Sequence, residues 1–224
     1  PSRGKHEAKL QLSSIFRKFG VGSFSTDACV VGWTGRFEQN KGSRLLPNIL
    51  KAACDAGCVL AISGYSTNSE MQKYFETVTL RQLKNISREK CSFLLLGTKE
   101  DQRPHSMVVR AATDITIVPS YSEGFGLVAA EALAFGSIPV VSEVGGLPDI
   151  IRPLEETDDG IWTGLQFPIF DNEEISSLSL SISLSKALDF FKTVQASDNL
   201  DALLKRLIGS TPLRGESLGK YNSL

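Results

Sequence analysis

Three short stretches of the chain combine cations, carboxylates and glycines at spacings suited to holding an anion. The first is Gly35-Arg36-Phe37-Glu38-Gln39-Asn40-Lys41-Gly42, in which two cations stand five positions apart. The arginine can grip a diphosphate by two-point hydrogen bonding, and the lysine can add a movable point charge. The same pattern would also suit a solvated turn. The second stretch, Ser120-Tyr121-Ser122-Glu123-Gly124-Phe125-Gly126-Leu127, sets two glycines beside a carboxylate ahead of a helical pattern. Glycines let a ligand approach the backbone closely. The free N–H groups of a helix's first turn, reinforced by the helix dipole, favour phosphate or sugar hydroxyls. Glu123 can equally serve as a cap for that helix. Eight residues on, Glu131 lies a little over two helical turns away, so both carboxylates can lean toward one side of the helix. The alternative for Glu131 is an exposed helix carboxylate. The third stretch, Val144-Gly145-Gly146-Leu147-Pro148-Asp149, offers a tight turn and a helix starting near Leu147 that aims further amides the same way. None of the three matches the phosphate loop GxxxxGK[ST] or the dinucleotide fingerprint GxGxxG.

The elements that must position these loops alternate. Apolar positions at Ala8, Leu10, Leu12, Ile15, Phe16 and Phe19 predict an opening helix stopped by Gly20. Strands are expected at Cys29–Trp33, Val59–Ile62, Ser92–Leu96, Ile115–Val118 and Ile138–Ser142, separated by helices over Ser43–Ala56, Ser69–Leu83, Met107–Ala112 and Phe125–Phe135. Continuous apolar strands alternating with helices predict a Rossmann-like, doubly wound α/β fold with a parallel sheet covered on both faces. In such a sheet ligands bind beyond the carboxyl ends of the strands, the edge from which all three loops leave. After Gly160 a short extended piece at Ile161–Phe167 and helices at Ile175–Val194 and Leu200–Ile208 are expected. The Ser-rich run SSLSLSISLS alternates like a strand, but the following KALDFFKTV favours helix. The chain divides into an opening helix (1–20), an α/β core (28–170) and C-terminal helices (171–224), all within a single domain.

Composition narrows the partners. The 24 basic and 25 acidic residues leave a formal charge of -1, so no global field recruits nucleic acid or an anionic membrane, and any anion must be bound locally. No apolar run reaches the roughly 20 residues that span a bilayer. Cys29, Cys54, Cys58 and Cys91 read as reduced, buried small hydrophobes in a chain large enough to form a core without disulfides. Cys54 and Cys58 would share a helical face, but the two histidines, His6 and His105, lie far from them in sequence, and the spacing does not suit zinc. No metal or other cofactor is expected.

In order along the chain, GRFEQNKG, PSYSEGFGLVAAEALAFGSIPVV and EVGGLPDII resemble three motifs of the C-terminal, donor-binding domain of two-domain (GT-B) retaining glycosyltransferases, in particular glycogen and starch synthases. The family's versions are a Gly-Arg-Leu-x-x-Gln-Lys-Gly loop, a Pro-Ser-x-x-Glu-x-x-Gly-Leu segment and a Thr-Gly-Gly-Leu-x-Asp turn. GKHEAKLQL resembles the helix that opens that domain, and SLGKYNSL its closing stretch. The resemblance implies that Arg36 and Lys41, with Gly35, hold the donor diphosphate and stabilise it as it leaves. It implies that Glu123 lies by the sugar and the positive charge developing at its anomeric carbon. Gly124, Phe125, Gly126 and Leu127 would present backbone amides to sugar or phosphate, and Glu131 would accept hydrogen bonds from the ribose. Asp158-Asp159 then reads as a surface turn, because this fold needs no DxD metal motif. Where many glycogen and starch synthases carry Pro-Cys or Pro-Phe after the first Glu and lack the second, this chain has Gly124-Phe125 and Glu131, as in the broader Glu-x7-Glu group. The donor base and sugar stay open on that account.

The implied activity is hexosyl transfer from ADP- or UDP-glucose to an α-glucan. Nothing in the sequence resembles the N-terminal acceptor domain with its Lys-Thr-Gly-Gly-Leu loop, so the chain is expected to be part of a longer protein and inactive alone. Reduced cysteines permit the cytoplasm, the expected compartment, with a starch-making plastid stroma as the alternative that would look identical. A non-catalytic nucleotide-sugar module and a nucleotide-dependent epimerase of the same architecture are the alternatives.

Overall fold

Short runs of buried β-branched and leucine side chains, too short for helices, extend into six strands: β1 Val30–Thr34, β2 Val59–Ser63, β3 Phe93–Leu96, β4 Ile115–Val118, β5 Ile138–Ser142 and β6 Leu165–Phe167. A computed structural model describes residues 1–153, 162–197 and 199–212. The strands form one sheet in the order β3-β2-β1-β4-β5-β6, and every pairing is parallel. The register sets Val30 against Val59, Val31 against Ile115, Ile115 against Ile138 and Val140 against Leu165. β1 and β4 are neighbours although the chain leaves β1 toward β2 and β4 toward β5. Their outgoing loops therefore diverge and open a crevice at the carboxyl edge.

Helices cover both faces, as parallel strands require. On one side α2 (Leu46–Asp55) packs against α4 (Leu80–Lys90) and α8 (Glu173–Ala196), over Val31, Trp33, Leu60 and Val140. On the other, α1 (Ser2–Lys18) lies along α5 (Lys99–Ala112), over Val30, Ala61 and Leu94. Val30 and Val31 point to opposite faces because side chains alternate along a strand. α6 (Leu127–Ala134) leads from β4 to β5, α7 (Leu147–Ile150) follows β5, and α9 (Leu200–Gly209) packs on α6, α1 and α8.

The expected strands and helices fall where predicted, with informative extensions. The helix expected over Ser69–Leu83 runs on to Lys90 as α3 (Ser69–Tyr74), a wider π turn at Phe75–Thr79, and α4. The helix expected from Met107 starts two turns earlier, at Lys99, with the Thr98 hydroxyl accepting the Asp101 N–H at 3.1 Å. Pro104 reads as a breaker in sequence, but the long contact of α5 with α1 offsets the hydrogen bond it removes. The Ser-rich run is helical, started by Asn172, whose side chain accepts the N–H groups of Glu174 and Ile175. Of the extended piece expected at Ile161–Phe167, Leu165–Phe167 is strand. Residue 161, Asp158-Asp159 and SLGKYNSL lie outside the described residues.

The cysteine reading is corrected. Packing of α2 on α4 brings Cys54, near the end of one, to Cys91, just past the other, and the two form a disulfide with Cα atoms 5.4 Å apart. Cys29 and Cys58 are free and buried. Because α2 ends at Asp55, Cys54 and Cys58 do not share a helical face.

α1 also carries two buried cations. Lys9 Nζ lies 2.7 Å from Asp114 Oδ2 and donates to the Ala28 carbonyl at 3.0 Å, while Lys5 Nζ donates to the Thr113 carbonyl. Asp114 Oδ2 in turn accepts the Val30 N–H at 2.8 Å. These bonds tie α1 to the amino ends of β1 and β4, the edge opposite the three loops.

Candidate functional site

The first loop leaves β1 and is pinned from below. Gly35 N–H donates to the Ser63 carbonyl and Phe37 N–H to the Tyr65 carbonyl, at 3.1 and 3.3 Å. The Phe37 ring is buried, stacked between Trp33 and Phe75. With this ring inward, the side chains around it turn outward. Arg36 is 59% exposed and pairs with Glu38 at 3.1 Å. A single helical turn at Gln39–Lys41 then ends in Gly42 at φ 66°, where a Cβ would collide with the Pro119 carbonyl. Tyr121 N–H donates to the Asn40 carbonyl at 2.8 Å, so the first and second loops are backbone-bonded.

Across that seam Lys41 Nζ meets Glu123 Oε2 at 2.7 Å, an ion pair with side chains only 23% and 15% exposed. Ser120 Oγ approaches the same oxygen at 3.4 Å. Burial works against ionisation of Glu123, but the hydrogen bond and charge of Lys41, the Gly126 amide and the Ser120 hydroxyl outweigh it, and the carboxyl titrates below its ordinary value. Glu123 is thus a fixed anion at neutral pH. Gly126, at φ 67°, starts α6, whose first amides after it, at Leu127 and Val128, have no intrahelical acceptor. Phe125 is 82% exposed, and a Cβ on Gly124 would meet nothing within 4 Å, so this stretch of backbone is open to solvent.

The glycines of the third loop serve a different purpose from the one the sequence suggests. A Cβ at Gly145, which has φ 54°, would run into the Glu123 carbonyl, and one at Gly146 would lie 2.6 Å from the Gly124 carbonyl. They allow β5's outgoing turn to press against the second loop. The Leu147 N–H is already used by the Val144 carbonyl, so this turn buttresses the site more than it offers amides.

The structure therefore brings Lys41, Glu123 and the start of α6 together, with Arg36 on the neighbouring rim turned to Glu38. It does not relate Glu123 to Glu131 by helical spacing, because α6 begins only at Leu127. Glu131 lies in the second turn of α6 and pairs with Arg110 of α5 at 3.1 Å. Arg110 carries no signal in the sequence, since an arginine at a helix end has no telling spacing, while Ser120 falls within the second stretch without a role of its own there.

Six parallel strands, with a crevice where the strand order reverses, define a doubly wound α/β domain, and a charge pair stands at a helix start on its carboxyl edge. The family model described as "Glycosyl transferases group 1" matches residues 17–183. The chain is 30% identical over 192 residues to a glycogen synthase of Francisella tularensis subsp. holarctica, covering 85% of this chain and 36% of that protein. A glycogen synthase of Rhodopseudomonas palustris is 31% identical over 169 residues, 75% of this chain and 31% of its own length. Among solved structures, the catalytic domain of starch synthase IV from Arabidopsis thaliana, bound to ADP and acarbose, superposes on 100% of the chain and 42% of its own, with TM-score 0.75 at 23% identity. Anabaena HepE, in complex with UDP and glucose, matches 95% of the chain and 52% of its own with TM-score 0.60 at 21% identity. This chain belongs to the group 1 glycosyl transferases and has the fold of their C-terminal GT-B domain. It spans about a third of the length of the curated relatives it matches. Among the described residues no helix is long and apolar enough to cross a membrane.

Proposed function

We propose that this chain is the donor-binding part of a retaining hexosyltransferase that moves glucose from ADP- or UDP-glucose to an α-glucan. The observation that carries the reading is the Lys41–Glu123 pair, 2.7 Å apart at the start of α6 on the carboxyl edge of the sheet. The pair sets a cation and an anion side by side where a nucleotide sugar has both charges to satisfy. As the bond between the anomeric carbon and the diphosphate oxygen breaks, negative charge grows on the departing nucleotide and positive charge on the sugar ring. Lys41, Arg36 and the α6 amides face the first, and Glu123, held ionised, faces the second. The acceptor hydroxyl then bonds to the anomeric carbon and its proton leaves with the nucleotide diphosphate. The glucan would be held by a domain outside this chain, which alone should bind the donor without transferring sugar. By its resemblance to glycogen and starch synthases, the protein would work in the cytoplasm or a plastid stroma.

Thermal unfolding with ADP, UDP, ADP-glucose and UDP-glucose tests this directly. A ligand at 100 times its Kd stabilises the fold by about 2.7 kcal/mol, an easily measured rise in Tm. The rise should vanish in Lys41→Ala. No shift with any of the four at millimolar concentration would sink the proposal.

A further inference from the structure

All four cysteines of the chain meet at one place, where β1, β2 and β3 begin beneath the end of α2. The register of β1 with β2, carried back one place from Val30 and Val59, sets Cys29 beside Cys58, and the Val59 N–H donates to the Cys29 carbonyl at 3.0 Å. The register of β2 with β3, carried back two places from Leu60 and Phe93, sets Cys58 beside Cys91. Neighbouring strands lie about 4.8 Å apart, so these three form a row. Their side chains share a face, because each stands two residues before Val31, Leu60 or Phe93, all buried in the core on the α2 side of the sheet. Cys54, from the last turn of α2, closes the disulfide with Cys91 at one end of the row.

Cys58 thus stands between a reduced neighbour and an oxidised one. The Cys29 thiol hydrogen-bonds to the Cys58 sulfur, which keeps the proton on Cys29 and draws the Cys58 pKa below the ordinary thiol value. Burial and Asp114 oppose that shift, Lys192 and Lys9 add to it, and the Cys58 thiol also lies 3.8 Å from the Ala56 carbonyl. The thiolate is the form that attacks a disulfide, and access to the sulfur attacked sets the rate. A bridge between Cys58 and Cys91 is within reach, since strand spacing falls inside the roughly 4.4–6.8 Å that disulfides span between Cα atoms. The loops closed are also alike, 37 residues for Cys54–Cys91 and 33 (91 − 58) for Cys58–Cys91, so chain entropy hardly distinguishes the two.

We propose that Cys58 is the nucleophile of an internal thiol–disulfide exchange that moves the bridge from Cys54–Cys91 to Cys58–Cys91. The Cys58 thiolate attacks the Cys91 sulfur, the Cys54–Cys91 bond breaks, and Cys54 leaves as a thiolate that takes up the proton Cys58 lost. The number of disulfides is unchanged, so no oxidant or reductant is consumed. Before the exchange the bridge ties the end of α2 to the start of β3; after it the bridge joins two strands that are already paired, and α2 is untied. Since α2 begins just beyond the Lys41 loop, the exchange sets how firmly the far end of that helix is held.

The test holds the native chain without reductant at about pH 8.5, quenches samples with acid, alkylates the thiols in denaturant and cuts before aspartates, which parts Cys54 from Cys58 at Asp55. Mass spectrometry should find, growing over hours, a 55–100 fragment with an internal bridge and a 27–54 fragment alkylated at both Cys29 and Cys54. Cys58→Ser should lower that product by more than about tenfold. Cys54→Ser, given glutathione disulfide, should close Cys58–Cys91, which guards against a misfolded Cys58→Ser. A native chain still holding only Cys54–Cys91 after a day would overturn the proposal. Release of Cys54 in Cys58→Ser would do so as well, since Cys29 would then be the nucleophile. So would a Cys54→Ser chain that closes Cys29–Cys58 instead, or no bridge at all.

Discussion

Lys5→Met should change how stability depends on pH, because Lys5 enters the fold at an electrostatic cost. Its ammonium is fully buried, and burial pulls its pKa from 10.5 down to about 8, partly countered by Asp114 and worsened by Lys9. The difference, 10.5 − 8, is about 2.5 pH units, or roughly 3 kcal/mol at 1.36 kcal/mol per unit. Below pH 8 folded and unfolded chains both hold the proton, and the cost is constant. Between pH 8 and 10.5 the unfolded chain keeps a proton that the folded chain has released, so unfolding free energy rises with pH. Integrated from pH 7.5 to 9.5, these values give a gain of about 2 kcal/mol that a methionine cannot supply.

Methionine fills most of the same volume, so the comparison isolates the charge, apart from a constant loss of the bond to the Thr113 carbonyl. Urea unfolding followed by far-ultraviolet circular dichroism at half-unit steps measures it. The native-minus-variant difference should climb by about 2 kcal/mol over those two pH units. Parallel curves would mean that Lys5 is not desolvated as described, and the account of how α1 is tied to the sheet would fall with it.

Gly42→Ala places a Cβ against the Pro119 carbonyl at a backbone φ of 66° and should destabilise by on the order of 2 kcal/mol, seen as a lower urea midpoint at unchanged m. An unchanged midpoint would show that the seam between the first two loops is loose. Reduction of Cys54–Cys91 reopens a loop of 37 residues and should cost roughly 2–4 kcal/mol, read by comparing unfolding with and without dithiothreitol; coincident curves would contradict a closed bridge.

Much of this was legible in the residues. Continuous apolar strands at Val59–Ser63, Ile115–Val118 and Ile138–Ser142 announce a sheet buried on both faces, since a strand wetted on one face would alternate. Pro104 is a local signal against extending α5 upstream of Met107, whereas its compensation, the packing against α1, is not local. Lys5 and Lys9 sit on the buried face of α1, and no local pattern reveals it, because their partner Asp114 lies more than a hundred residues away. The disulfide was invisible for the same reason: α2 and α4 had first to pack.

For the site, the sequence by itself determined which loops carry charge and glycine and that all leave one edge of a parallel sheet, because strand direction and connection follow from periodicity. Only the tertiary structure decided the pairings: Lys41 with Glu123, Arg36 with Glu38, and Glu131 with Arg110. It also decided that the glycines of the third turn make room for the second loop instead of for a ligand. Ion pairs and close backbone contacts form between segments that are distant in sequence and meet only when the sheet assembles, so no spacing along the chain encodes which side chain will face which.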